Sequence, residues 1–452
     1  MSTTPESAAF PAVAKKKSVL GLVFLTVFLD IVGFSIIFPL FPDLLDHYLA
    51  AGGEGSWLAG LVERLGSLSG GDEYAVVALF GGLLGSVYGF LQFLFSTVWG
   101  GLSDRIGRRP TLLLTLFGTS LSYVLWVFAG SFTVLILARV LGGIMAGNIS
   151  TASAAVADTT TARDRAKGMG IVGMAIGLGF IMGPAIGGFS SEHVLGGSVG
   201  VVTSHFALNP FSVPALIALA LSVANLIWAA LRFHETLPPE RRGTTRTAHT
   251  INPFKRLASI GLPGVVRTNL VYFLYLVAFA AIEFTLTFLA KERFNYTPRA
   301  MALMFVFVGL IIAFVQGGIV RRVAPKYGER LVARIGLLLT VPGFLLIGRA
   351  TTGSALYSGL AFMAVGSALV MPCLSALISR YTPPDRQGLA LGAFRSMGSL
   401  SRALGPILGS LAYWRFGSGS PYMAGAIFLL IPIGIAIALP QPTDPGVDPQ
   451  AA

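Results

Sequence analysis

Between two long apolar stretches, the chain reads GGLSDRIGRRP at residues 100–110. The glycines allow close approach of helices, Asp104 can complement the N-terminus of a neighbouring helix, and the arginines can pair with acidic groups on the same face. An ordinary basic loop between membrane helices would also explain the charges. The complete string in this position is more specific, and it predicts a structural junction between two membrane-spanning helices.

The apolar content of the chain is too high for a water-soluble fold. Its 452 residues are 54% hydrophobic and 12% charged, whereas roughly 25% of residues are charged in soluble domains. A membrane helix needs about 20 apolar residues. The predicted spans are 18–45, 74–102, 110–130, 132–157, 165–190, 211–232, 265–291, 298–322, 330–350, 353–380, 386–412 and 420–440. The sequence therefore predicts an all-α polytopic membrane protein with twelve transmembrane helices.

The formal net charge of +12 comes from basic residues that lie mainly in alternate loops. Of the 32 Lys and Arg residues, 23 fall on one predicted side of the membrane, at 15–17, 105–109, 163–167, 232–267, 321–334 and 380–386. The positive-inside rule places both termini on the cytoplasmic side. This distribution indicates a lipid bilayer as the partner and argues against nucleic acid.

Cysteine and histidine usage gives no sign of catalysis. Cys373 is the single cysteine, and the five histidines are scattered along the chain. We therefore expect no disulfide, no metal site and no cofactor, and an enzyme is disfavoured because no nucleophile–base pair is found. Residues 1–18 lack the small-residue cleavage site of a secretory signal, so we expect the first helix to be retained.

The chain divides into two halves around a polar segment. We predict a cytoplasmic tail at 1–17, a six-helix bundle at 18–232, a linker at 233–264, a second bundle at 265–440 and a tail at 441–452. Before the first bundle's second helix, a short amphipathic helix at 57–68 is predicted to cover the outer interface. The Gly- and Ser-rich loop at 191–210 receives no role.

Three motif pairs suggest that the halves are distant copies of each other. The pairs are Asp164-Arg165 with Asp385-Arg386, Gly183-Pro184-x-x-Gly187 with Gly405-Pro406-x-x-Gly409, and Gly100-Gly101 plus Arg108-Arg109 with Gly317-Gly318 plus Arg321-Arg322. The sequence thus predicts two pseudo-symmetric six-helix bundles.

Further motifs carry a family resemblance. They are Leu29-Asp30-x-x-Gly33 with Pro39 and Pro42, Arg139-x-x-Gly142-Gly143, Gly177-x-Gly179 with Gly183-Pro184-x-x-Gly187-Gly188, Ala157-Asp158-Thr159-Thr160, Glu235-Thr236, Val271 to Leu276, and Pro372-Cys373-Leu374-Ser375. With the loop string, these motifs resemble the major facilitator superfamily over nearly the whole chain. Within it, the chain is similar to the drug:proton antiporters typified by tetracycline efflux pumps, and more so to the eukaryotic tetracycline-transporter-like group, which is associated with organic anions.

The resemblance implies two bundles that rock about a central site, with gating residues at the junction. Those residues are Gly101, Asp104, Arg105, Gly107, Arg108, Arg109, Asp158, Gly183, Pro184 and Gly187. The glycine-rich fifth helix would be a hinge or a close-packing seam against the eighth helix, and both interpretations stay open. Where the pumps have membrane aspartates, this chain has Ser122 and Thr340, and it adds Glu283 in the seventh helix.

Five ionisable residues lie within predicted spans, where charge is costly and marks functional sites. They are Asp30, Arg139, Glu283, Arg395 and Arg402. A buried carboxyl near an arginine can exchange protons near physiological pH. We therefore predict that Asp30 and Glu283 couple transport to protons while Arg139 tunes them, the alternative being a permanent ion pair that braces the bundle.

Arg395 and Arg402 are seven residues apart and therefore share one helix face. They could bind an anionic substrate group by charge-assisted hydrogen bonds, or else Arg395 could snorkel and Arg402 bind Asp or backbone oxygens. Further predicted substrate contacts are Phe34, Gln92, Phe279 and Phe284.

The sequence thus favours a secondary transporter that exports amphiphilic small molecules, such as drugs or organic anions, in exchange for protons. A uniporter or importer on the same fold, and a non-transporting receptor or assembly factor, are the alternatives. The expected partners are a small-molecule substrate, protons and the lipid bilayer. We expect a monomer, in a bacterial inner membrane.

Overall fold

The computed structural model describes residues 14–52, 57–68, 73–160, 162–193, 206–243, 260–383 and 386–441, and these ranges are almost entirely helical. The helices of the first half are α1 Ala14–Ser35, α2 Phe41–Gly52, α3 Trp57–Leu68, α4 Glu73–Ile106, α5 Arg108–Val127, α6 Phe132–Met145, α7 Asn148–Thr159, α8 Ala162–Ser190 and α9 Ser212–Arg232. The helices of the second half are α10 Pro263–Phe294, α11 Pro298–Phe314, α12 Arg321–Tyr327, α13 Glu329–Arg349, α14 Gly353–Tyr381, α15 Gln387–Phe416, α16 Ser420–Phe428 and α17 Leu430–Ile437.

Joined across short breaks, these helices form twelve spans within the described ranges. Eleven are long and apolar enough to cross a membrane by length and composition. The twelfth is α15, a 30-residue helix that carries Arg395, Arg402 and Arg415 and packs along α4 and α10. The predicted all-α fold of twelve transmembrane helices in two bundles is confirmed.

The first span is not the single helix predicted at 18–45. It breaks after Ser35, passes through a 3₁₀ turn at Phe38–Leu40, and continues as α2 to Gly52. The break occurs where Pro39 cannot donate a backbone hydrogen bond to the preceding turn. After the break, α2 carries Asp43, which forms an ion pair with Lys291 of the second half.

The fourth span, predicted at 132–157, also breaks, between α6 and α7. At the break, a side chain at Gly147 would collide with the Trp99 ring. The indole Nε1 of Trp99 donates a 2.6 Å hydrogen bond to the carbonyl oxygen of Ile144, one of the last residues of α6. Because that carbonyl has a side-chain partner, the helix can stop and restart at Asn148.

The eighth span contains a π-helix at Val315–Val320 and continues as α12 to Tyr327. The turn that follows is at Gly328. The predicted match of Arg321-Arg322 to Arg108-Arg109 is therefore wrong. Arg321 lies in the helix before the turn at Gly328, whereas Arg108 lies directly after the turn at Gly107. In the structure, Gly328 corresponds to Gly107.

Glycine–proline motifs pack equivalent helix pairs in the two halves. In the first half, a Cβ at Gly187 of α8 would collide with the Ile36 carbonyl oxygen beside α1. In the second half, a Cβ at Gly409 of α15 would lie 2.7 Å from the Ala281 carbonyl oxygen of α10. The two motifs thus occupy corresponding helix pairs, which supports their assignment as repeats.

Some predictions fall wholly or partly outside the described residues. Most of the loop at 191–210, much of the linker at 233–264, and the Asp385 member of one repeat pair lie there. The predicted short helix at 57–68 is present as α3, with Leu58 buried beneath it.

Candidate functional site

Asp30 lies on α1, inside the first half. It contacts the N-terminus of α7, where the fourth span resumes after its break. The side-chain Nδ2 of Asn148, the first residue of α7, donates a 2.8 Å hydrogen bond to Asp30 Oδ1. Since Asn148 is 0% exposed, the broken helix presents an amide to a carboxyl group deep in the bundle. Broken helices form polar sites in many transporters for the same reason.

Arg139 on α6 is buried against aromatic rings rather than paired with an acid. Its guanidinium carbon lies 4.6 Å from the Tyr88 ring centroid and 5.6 Å from that of Phe34. Among the described residues, Nε and Nη2 of Arg139 have no hydrogen-bond partner. The alternative of a permanent ion pair between Asp30 and Arg139 is therefore not what the structure shows.

The two arginines of α15 reach from the second half into the first. Arg395 Nη1 donates a 2.7 Å hydrogen bond to Ser153 Oγ on α7. The guanidinium carbon of Arg402 lies 4.8 Å from the ring centroid of Phe180 on α8. The Arg402 contact is with an aromatic ring and not with the aspartate or backbone oxygens that were its alternative partners. Both arginine contacts cross the boundary between the halves.

Aromatic rings connect the arginines of the two halves. Phe34 stacks on Tyr88 with centroids 4.5 Å apart and meets Phe180 edge-on at 6.0 Å. Arg139 therefore contacts one end of this ring cluster and Arg402 the other. The arrangement combines apolar faces with cations, which suits planar amphiphilic anions.

Glu283 lies on α10, the second-half counterpart of α1. Its side chain is half-buried, accepts no hydrogen bond from a described residue, and is close enough to Arg402 for their charges to interact. Asp30 and Glu283 are thus carboxyl groups on corresponding helices, one hydrogen-bonded and one not.

The remaining predicted substrate contacts have different surroundings. Phe279 is half-buried and stacks on Tyr275 with centroids 5.9 Å apart. Gln92 is half-buried on α4, one turn beyond Tyr88. Phe284 is buried between the halves, 5.2 Å from the Phe41 centroid, so a ligand does not reach its ring in this state.

The face remote from the arginine-rich turns is closed by contacts between the halves, and we call it the distal face. Lys291 Nζ lies 2.7 Å from Asp43 Oδ1, and Arg299 Nη1 lies 3.3 Å from Glu192 Oε2. A Cβ at Gly82 of α4, nearer this face, would lie 2.9 Å from the Pro406 carbonyl oxygen of α15. Interlocked backbones and two ion pairs therefore hold the halves together on this side.

At the opposite, basic face, Arg108 forms the centre of a network inside the first half. Its Nε donates to Asp158 Oδ2 at 2.8 Å, and its Nη1 donates to Ser103 Oγ at 2.6 Å and to Asp104 Oδ1 at 2.5 Å. The Arg108 side chain is 7% exposed. The junction motif thus ties α4, α5 and α7 together, with Gly101 half-buried in α4 and Arg105 exposed beside it.

Glu235 caps α5 from the segment after α9. Its carboxylate accepts backbone hydrogen bonds from Arg108, Arg109, Thr236 and Leu237 at 2.9–3.2 Å. Burial acts to raise the pKa of Glu235, but the backbone hydrogen bonds from Leu237, Arg108, Arg109 and Thr236 outweigh it, and the pKa is lowered. A negative charge at this helix N-terminus is favourable.

The predicted seam on α8 is present. Gly183 and Gly187 pack on α1, Pro184 lies between them inside the helix, and a Cβ at Gly188 would crowd the Pro298 carbonyl of the eighth span. Close packing therefore describes these residues in this state, and the hinge interpretation stays a prediction.

Sequence reasoning missed Asn148 and the pair of Asp43 with Lys291. The glycine directly before Asn148, inside an apolar helix pattern, was a usable signal for a break next to a polar side chain. No local signal links Asp43 to Lys291, because they are far apart in the chain and meet only when the halves close.

Twelve spans in two halves, with charged and aromatic residues between them, define a small-molecule membrane transporter. The sequence profile described as Major Facilitator Superfamily matches residues 23–326 and 322–452. The chain belongs to the major facilitator superfamily, and its relatives are transporters rather than enzymes.

Similar proteins cover almost the whole chain. The major facilitator superfamily domain-containing protein 10 of Bos taurus is 35% identical over 98% of this chain and 97% of its own length. The class B tetracycline resistance protein of Escherichia coli is 28% identical over 85% of this chain and 86% of its own. A crystal structure of the human organic anion transporter MFSD10 (TETRAN) superposes with a TM-score of 0.73 at 32% identity, covering 93% and 99% of the two chains.

Proposed function

We propose that this protein moves organic anions or similar amphiphilic molecules across a membrane by alternating access, in exchange for protons. The observation that carries the proposal is the pair of carboxyl groups Asp30 and Glu283, on corresponding helices of the two halves, with arginines and aromatic rings beside them. The similarity to a protein described as an organic anion transporter supports the substrate class.

In this proposal, Glu283 and Asp30 carry the protons. Glu283 has no hydrogen bond from a described residue, and Asp30 has one from Asn148. Protonation of Asp30 would weaken its hydrogen bond from Asn148, and protonation of Glu283 would remove its charge interaction with Arg402. Arg139, which shares the Tyr88 ring environment near Asp30, sets the electrostatic field there.

The anionic substrate would bind between the halves, where Arg395 and Arg402 already contact first-half residues. An anion would compete with Ser153 and Phe180 for those guanidinium groups. Phe34, Gln92 and Phe279 would supply the surrounding surface. The distal ion pairs would then break as the site opens to that face.

The basic face is proposed to be cytoplasmic, with both termini on that side, because most Lys and Arg residues lie there. The six-helix units at 18–232 and 265–440, the linker between them and a monomeric state are proposed with it. The bacterial inner membrane stays a prediction, since the relatives above come from both a mammal and a bacterium.

The test is Glu283→Gln in reconstituted vesicles, with an imposed pH gradient and a panel of organic anions. We expect flux driven by the gradient to be abolished, because the amide cannot exchange a proton, while thermal unfolding is unchanged. Glu63→Gln on the exposed surface of α3 is the matched control and should transport normally. Unaltered proton-driven flux in a folded Glu283→Gln protein would reject the coupling, and wild-type flux that ignores the gradient would indicate uniport.

A further inference from the structure

A small cavity inside the first half is lined by buried donors without partners. The cavity has a volume of about 10 Å³. Arg139, Trp126 and Thr119 on its wall are 4%, 2% and 3% exposed. Among the described residues, Arg139 Nε and Nη2, Trp126 Nε1 and Thr119 Oγ1 have no hydrogen-bond partner. Buried polar groups are rarely left this way, so the cavity requires an occupant.

The unpartnered atoms of the wall can all donate, whereas the Ser122, Tyr88 and Tyr123 hydroxyls beside them can also accept. Indole and guanidinium N–H groups can only donate, and the Thr119 hydroxyl can donate as well. Ser122, also on the wall, donates its own hydrogen to the Thr119 carbonyl oxygen at 2.7 Å. One water has two lone pairs, so it cannot accept from all of these groups, and it leaves the charge of Arg139 uncompensated.

Asp30 acts on the same Tyr88 ring as Arg139 but does not contact its guanidinium group. Asp30 is engaged by Asn148, and Arg139 makes no ion pair with a carboxylate in the described part of the chain. A buried cation without a counter-charge is costly. The missing group is therefore a single small acceptor with a negative charge.

We propose that this cavity is a binding site for a single halide ion, of which chloride is the abundant example, held by Arg139, Trp126 and Thr119. A monoatomic anion can accept from every donor at once and balances the guanidinium charge. The cavity is too small for an organic anion, so this site is distinct from the proposed transport site between the halves. Gly142 keeps it open, since a Cβ there would lie 3.1 Å from both Ser122 Oγ and Tyr88 Cε2.

Trp126 supplies a direct readout because bromide quenches the fluorescence of an indole that it contacts. Purified protein is titrated with sodium bromide against sodium gluconate at constant ionic strength. The chain has five tryptophans, so the difference between the wild type and Trp126→Phe isolates the signal. We expect saturable quenching that Trp126→Phe lacks and that chloride competes away.

Two variants test the donors. Arg139→Gln should weaken bromide binding by about a hundredfold or more, because the charge is lost. Thr119→Val keeps the shape, retains the charge and should weaken binding about tenfold through the loss of one charge-assisted hydrogen bond. Thr119→Val keeps the test valid if Arg139→Gln does not fold.

Three results of the bromide titrations, and a fourth from competition with acetate, would overturn the proposal. In the titrations, these results are quenching that rises linearly without saturation, equal quenching in Trp126→Phe, and unchanged affinity in Thr119→Val. Displacement of bromide by acetate would assign the acceptor to a substrate carboxylate and would also overturn the halide assignment. Because the assay measures no transport, its outcome is independent of the test with Glu283→Gln.

Discussion

The turns at Gly107 and Gly328 have nearly the same backbone but different surroundings. Their φ angles are 110° and 82°, and their ψ angles are 161° and 142°. Each turn joins two successive spans at the basic face. A Cβ at Gly107 would collide with the Glu235 carboxylate, whereas nothing lies within 4 Å of one at Gly328. The two halves therefore share the backbone conformation of this turn but differ in the side chains that pack against it.

The charges at the two turns are reversed. In the first half, Arg108 begins α5 and pairs with Asp158 at the end of α7. In the second half, Glu329 begins α13 and pairs with Arg380 at the end of α14, at 2.7 Å. The Arg108 side chain is 7% exposed, but that of Arg380 is 34% exposed. The first turn is therefore a buried network and the second a partly solvated ion pair.

The largest expected difference between the two turns is in the loss of unfolding free energy caused by Arg108→Ala and by Arg380→Ala. Removing Arg108 leaves Asp104, Asp158 and Ser103 without their shared donor and should cost about 2–4 kcal/mol of unfolding free energy. Arg380→Ala should cost at most about 1 kcal/mol, because exposed pairs are weak. Unfolding in mixed detergent micelles measures both.

Arg105→Ala is the control for Arg108→Ala, since Arg105 is exposed in the same motif. It should leave the free energy of unfolding nearly unchanged. Equal losses for the Arg108 and Arg380 substitutions would show that burial does not distinguish the two turns.

A second contrast compares Gly107→Ala with Gly328→Ala. Both place a side chain at positive φ, which costs about 1–2 kcal/mol. At Gly107, the new methyl group would also displace Glu235 from the N-terminus of α5, adding about 1 kcal/mol. Thermal unfolding should therefore show a larger drop for Gly107→Ala. A larger drop for Gly328→Ala would mean that Glu235 moves aside at little cost.

Much of the fold follows from local sequence. The apolar stretches predict the spans, and the eleven-residue string at 100–110 predicts the junction, because both depend on short-range properties of the chain. The breaks at Pro39 and Gly147 were not predicted. Glycine and proline are common in membrane helices, and which of them interrupts one depends on a neighbour such as Trp99, which only the fold brings near.

The candidate site was predictable as a set of residues but not as contacts. Their positions within predicted spans identify Asp30, Arg139 and Glu283 as candidates from the sequence alone. That Arg139 would face Tyr88 and an open cavity, rather than Asp30, depends on side-chain directions in three helices. The equivalence of Gly328 to Gly107 was also missed, because the charges around the two turns are reversed and only the backbone angles reveal the match.

The smallest expected effect concerns Glu235, which caps the helix after the first turn. Among the described residues, no side chain caps the helix after the second turn. Because the pKa of Glu235 is lowered in the folded protein, the ionised carboxylate stabilises the fold above the ordinary value of 4.5. That contribution is lost as the pH falls through the lower, folded-state pKa. At neutral pH, Glu235→Gln should reduce the unfolding free energy by about 0.5–1 kcal/mol, since the amide oxygen still accepts hydrogen bonds.

Unfolding of the wild type and Glu235→Gln should therefore be compared from neutral pH down to the acid limit of the micelle system. The difference in unfolding free energy should be constant above the ordinary pKa of Glu and shrink below it, as the wild-type carboxyl group becomes protonated. Glu329→Gln provides the comparison at the second turn, where the carboxylate pairs with Arg380 but accepts no helix-capping bond at Gly328. A difference that grows on acidification would contradict the assignment of Glu235 as an ionised cap, because a lowered pKa permits only the opposite sign.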